Sequence, residues 1–287
     1  MNATAILNKI LPIVSPNMHK TRRNALSVCV LSLAQGNLCT VTSIGRGIQS
    51  KAYEKHRIKR SDRLLSNPNL RREALSIYAY ICRLFVIQTR PIISVDWSDL
   101  DARGQHLELK HRQSNPITNQ FVLYKSSPKG RHSINQKGKR RTSLSSLTAA
   151  RGAKEPWLLV SSLPVNRLYA KHCVKAYETR MQIEEGFRDI KSSRFGLGFE
   201  LSYTFKIQRL SNLMLLTTLT ALLLVLVGKV IELAGYANRF QANTLRKRRV
   251  LSRFYLGKRA VMTRFQISKQ DWRNGIRQLV QQLSKGV

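Results

Sequence analysis

The chain has 287 residues, with 50 Lys and Arg against 15 Asp and Glu, a formal charge of +35 and a pI near 11.1. That length allows one large or two modest domains, and 43% hydrophobic residues exclude a disordered basic tail protein. Residues 1–100 carry 15 basic and 5 acidic side chains, residues 101–160 carry 12 and 3, and residues 161–287 carry 23 and 7, so the excess is spread along the chain as a footprint for a polyanion, above all nucleic acid.

Taken in chain order, residues 3–14 and 19–35 read as helices. In the second, Leu26, Val28, Val30, Leu31 and Leu33 recur at helical spacing until Gly36-Asn37 stops it. Nothing at the N-terminus has the pattern of a signal peptide. Thr40 to Ser43 caps a short helix, and 51–65 (KAYEKHRIKRSDRLL) is a basic helix ending at Ser66-Asn-Pro-Asn69. A further helix covers 71–88. Short helix, turn and basic helix is the order of a helix-turn-helix, with Arg57, Lys59, Arg60 and Arg63 as DNA-contacting residues; a solvated charged helix face gives the same pattern.

At Pro91 the character changes to a β-branched run, Ile92 to Ser98, read as a strand ending near Asp96. Residues 105–110 and 119–125 are further strand candidates, 126–154 is a basic Ser- and Gly-rich loop, and 155–162 is a buried strand carrying Trp157. A helix follows over 167–191. The run Leu213 to Val227 is shorter than the roughly 20 residues of a membrane span, so it is expected to be the middle of a buried helix, 207–234, in a protein with no membrane partner. A basic helical tail closes the chain. Cys29, Cys39, Cys82 and Cys173 lack zinc-site spacing and read as buried reduced thiols.

The segment 177–191 (YETRMQIEEGFRDIK) carries the chemistry. At about 100° per residue, Tyr177, Arg180, Glu184 and Lys191 share one stripe, whereas Glu185 points elsewhere. An acid beside a phenol, a guanidinium and an ammonium suits a metal and phosphates held together; an amphipathic helix with surface ion pairs satisfies the same spacing.

Tyr177-x2-Arg180-x3-Glu184-x6-Lys191 resembles the signature of bacterial insertion-sequence transposases of the cut-and-paste DDE type, the family named after insertion sequence four. HKTRRNALSV, RIKRSDRLLSNPNL, ISVDWSDL, EPWLLVSSLPV, FGLGFELS and FQANTLRKRRVLS resemble stretches of the same family in the same order. The resemblance implies a mixed α/β fold with extra helices: a helical DNA-binding domain over 1–88, a ribonuclease H-like catalytic core over 89–205, incomplete here, and a helical C-terminal region over 206–287. It implies that Asp96 and Glu184 are catalytic acids holding Mg²⁺ or Mn²⁺, with their carboxylates within about 8 Å across a two-metal site. Tyr177, Arg180 and Lys191 would hold the transposon-end backbone, and Trp157 would stack a flipped base unless it is simply a core aromatic. Partners would be transposon-end DNA and a second copy of the chain on paired ends, in the bacterial cytoplasm at the nucleoid.

The family also has a second catalytic Asp on an apolar strand. No Asp lies between Asp101 and Glu178 here, and Leu107 to Lys110 runs almost directly into a later segment, as if more than a hundred residues (an inference from the family order) were lost near 110–112. Three readings follow: a DNA transposase, a DNA-binding relic that does not cut, and a structural RNA-binding protein.

Overall fold

The computed structural model describes residues 3–86, 121–124, 139, 142–144, 147–148, 157–160, 166–241 and 249–284. Five helices come first: α1 (Ala3–Val14), α2 (Lys20–Ala34), α3 (Val41–Gly47), α4 (Glu54–Leu65) and α5 (Pro68–Phe85). Their ends follow local chemistry. Thr40 Oγ1 accepts from the Ser43 amide at 3.2 Å to start α3. Asn67 Oδ1 accepts from the amides of Asn69 and Leu70 to start α5, with Pro68 in its first turn, directly after Ser66 ends α4.

Strands β1 (Phe121–Tyr124) and β2 (Trp157–Val160) pair antiparallel, Phe121 opposite Val160 and Tyr124 opposite Trp157. Helix α6 (Tyr169–Lys191) follows, then α7 (Ile207–Leu233), α8 (Arg253–Met262) and α9 (Lys269–Ser284). The chain divides into two compact units, one of residues 1–106 with 185–287 and one of residues 107–184.

The first unit is a helical bundle around α7. Leu213, Leu215, Leu216, Leu219, Leu223, Leu224, Val227, Val230 and Ile231 are all buried, and α1, α2, α4, α5, α8 and α9 pack around them. By length and composition α7 is the one helix among the described residues long and apolar enough to cross a bilayer, yet two thirds of its most apolar window is covered by protein, as expected of a core helix. Its threonines fit because each hydroxyl donates to a carbonyl one turn back: Thr217 and Thr218 to Met214, Thr220 to Leu216. Buried Asn212 donates from Nδ2 to the carbonyls of Leu65 and Asn67, fastening the α4–α5 corner to α7. Helix α8 crosses α7 with almost no gap. A methyl group on Gly257 would overlap the Leu224 carbonyl, and one on Gly228 would overlap that of Arg253.

In the second unit Val122, Leu159, Tyr169, Cys173 and Val174 form a small cluster joining the strand pair to the start of α6. This overturns the expected mixed α/β fold with a ribonuclease H-like core. Among the described residues the protein is overwhelmingly helical, and its sheet is two antiparallel strands of four residues each. The physical reason lies in where the buried apolar surface is concentrated: it is carried by helix-periodic segments 3–85 and 207–284, and a two-stranded ribbon cannot form the central layer of an α/β core. The strand candidates around Asp96 and over 105–110, and nearly all of the 126–154 loop, lie outside the described residues.

Candidate nucleic-acid interface

Helices α2, α3 and α4 pack on one another through Leu26, Cys29, Val30, Leu33, Ile44, Ile48, Leu64 and Leu65. Contact is closest at Gly45, where a side chain would strike the backbone of Ile58 on α4. One face of α4 is thereby committed to the core, which leaves Lys55, His56, Lys59 and Arg63 exposed on an arc of about 100° on the other. Both acids of α4 are taken by arginines from elsewhere: Glu54 by Arg46 at 2.8 Å and Asp62 by Arg209 at 2.5 Å. The outward ridge therefore carries three cations and a histidine, with both acids of α4 ion-paired.

Of the four α4 residues expected to touch DNA, Lys59 and Arg63 stand on this ridge. Arg60 is half-buried at its edge. Arg57 has turned inward, where its Nη1 donates to the carbonyls of Arg46 at 3.2 Å and Ile48 at 2.8 Å, closing the end of α3. Lys55 was missed by sequence reasoning, although its spacing of four from Lys59 was the available signal.

On α6 three of the four stripe residues, Tyr177, Arg180 and Glu184, form a chain of contacts. Arg180 Nη1 lies 3.2 Å from Glu184 Oε1 and donates to Tyr177 Oη at 3.4 Å, with its guanidinium 5.6 Å from the Tyr177 ring centroid. Tyr177 packs beside the small strand cluster. Lys191 sits two turns on, its ammonium 5.9 Å from the Phe187 ring. The Glu184 side chain keeps 43% of its surface and is neutralised by Arg180. Asp96 lies outside the described residues, as does the Trp157 side chain, although the Trp157 backbone is the first residue of β2.

The end of α6 is anchored in the bundle. After Lys191 the chain turns so that the Leu197 amide donates to the Asp189 carbonyl at 3.0 Å and the Cys39 amide donates to the Leu197 carbonyl at 3.0 Å. Leu197 and Phe199 are buried to 1% exposure. Buried Lys258 of α8 donates to the carbonyls of Phe195 and Gly196. Burial pushes the Asp189 carboxyl up to about 6 against the pull of Arg188 and Lys258, and burial also lowers the Lys258 ammonium below its ordinary range. Leu197 and Phe199 thus tie the stretch FGLGFELS into the bundle.

The described residues contain no group of three His, Cys, Asp or Glu side chains able to hold a metal ion. Glu184 is already ion-paired with Arg180. Asp96, the other acid that the resemblance assigns to Mg²⁺ or Mn²⁺, lies outside the described residues. All four cysteines are free: burial raises Cys29 and Cys39 to about 12 and Cys173 is buried, but Cys82 is exposed, contrary to the expectation that all were buried. Comparison with protein families, curated proteins and solved structures found no match to this chain.

Proposed function

We propose that the chain is a DNA-binding protein of insertion-sequence transposase descent that grips duplex DNA through α4 and does not cut it. The observation that carries this reading is the cationic ridge of Lys55, Lys59 and Arg63, displayed by a helix whose opposite face is locked into the core and whose acids are neutralised elsewhere. A uniformly basic helix face held rigidly at the surface is the arrangement that meets phosphate rails or enters a major groove. The charge of +35 and the ordered stretches resembling the transposase family support DNA as the polyanion. The α6 stripe supplies phosphate contacts from Arg180 and Lys191, with Glu184 acting as the ion-pair partner of Arg180.

The test is anisotropy of a labelled mixed-sequence duplex over a salt series, alongside incubation of the same duplex with the protein and Mg²⁺ or Mn²⁺. Binding without nicking is the expected result. Metal-dependent nicking that disappears in Asp96→Ala would replace this reading with that of a working transposase, and tighter binding to structured RNA than to duplex DNA would replace it with a structural RNA-binding role.

A further inference from the structure

Away from α4, the bundle has a cleft of about 250 Å³ between α1 and α9. Its surface is almost wholly apolar, with Ile6, Trp272 and Ile276 in the lining, and the exposed residues Lys9, Arg273 and Arg277 line it as well. No acidic side chain lines it. The acid on this part of α9, Asp271, accepts from Tyr236 Oη at 2.6 Å and from Ser268 Oγ at 2.8 Å, outside the lining. Arg273 and Arg277 are one turn apart, so both guanidinium groups lie on the same side of α9, with Lys269 one turn before them.

We propose that this cleft takes a single unstacked base of single-stranded DNA, with the flanking phosphates held by Lys9, Arg273 and Arg277. Apolar walls beside an indole suit a planar heterocycle, and their lack of hydrogen-bonding groups makes the pocket indifferent to which base enters. Three cations in the lining match the two phosphates that bracket one nucleotide, and cation number decides between occupants: a fatty acid offers one negative charge at one end, a polynucleotide an anion on each side of every base. The cleft has room for one base and not for a paired duplex. The inference rests on the reading of the chain as a DNA-binding protein and extends it from duplex, read at α4, to unpaired strand at α9.

The experiment compares a labelled oligothymidylate of about 16 nucleotides with an abasic deoxyribose-phosphate strand of equal length, with a mixed-sequence duplex as third probe. The full chain should bind the oligothymidylate roughly tenfold more tightly than the abasic strand, as one stacked base requires. Trp272→Ala should erase that preference while leaving duplex affinity unchanged, and Trp272→Phe, which keeps an aromatic face and the core packing, should retain most of it. Arg273→Gln with Arg277→Gln should weaken both single strands alike and flatten their salt slope by about 1.4. Equal binding of the two strands by the unaltered chain, or a preference that survives Trp272→Ala, overturns the proposal. Loss of duplex binding in the unaltered chain, with the base preference intact, would instead sink the α4 reading and leave the α9 pocket standing.

Discussion

Replacing Lys55, Lys59 and Arg63 together by Gln removes three exposed cations from α4 and touches nothing in its buried face of Ser61, Leu64 and Leu65. If each meets one phosphate, the salt slope of duplex binding becomes shallower by about 2.7, a roughly 40-fold smaller loss of affinity between about 50 and 200 mM salt. Each exposed substitution should change folding stability by no more than about 0.5 kcal/mol. Arg57→Gln is the internal control. It removes one charge from the same helix but also two hydrogen bonds to the carbonyls ending α3, at 3.2 and 2.8 Å, so its effect should be a stability loss of about 1–3 kcal/mol with the salt slope almost unchanged. The assay is anisotropy on a mixed-sequence duplex across the salt series, with thermal melts of each variant. A triple variant that keeps the full slope would show that α4 does not face DNA and that the footprint lies elsewhere.

Other outcomes follow from the bundle. Gly257→Ala should destabilise by about 3 kcal/mol or more, because the new methyl group meets the backbone of Leu224 and Gly228 rather than a movable side chain; Gly186→Ala, with open space around it in mid-helix, should gain about 0.5–1 kcal/mol, both read by thermal melts. Asp189 has its carboxyl raised to about 6 by burial, so the folded state holds this proton more tightly than the unfolded chain, and its contribution improves as pH falls from about 6 towards 4. Asp189→Asn should therefore stabilise the bundle at neutral pH by up to about 1 kcal/mol, a figure reduced because the group is half-exposed, and should flatten this part of the pH–stability curve. Asn212→Ala should cost about 1–3 kcal/mol in denaturant unfolding, since the carbonyls of Leu65 and Asn67 lose their buried donor.

The local elements were legible in the sequence because their signals are local. Helix periodicity with Gly36 placed α1 and α2 to within a residue, the expected 51–65 and 71–88 became Glu54–Leu65 and Pro68–Phe85, and the apolar run Leu213 to Val227 marked the middle of a core helix expected over 207–234 and found over Ile207–Leu233. The stripe of Tyr177, Arg180 and Glu184 was equally local, since residues three and four apart on a helix must meet. What only tertiary structure decided depends on segments far apart in the chain. That residues 3–86 and 207–284 share one core, in which most of the apolar helix is buried, follows from packing that no single window contains. The same holds for Arg57, basic by composition but drawn inward by two carbonyls, and for Asp62, whose charge is cancelled by Arg209 far along the chain. The expected α/β class failed for a related reason: strand-like composition specifies a pleated segment, but a sheet exists only where several such segments find partners, and in the described residues only Phe121–Tyr124 and Trp157–Val160 do.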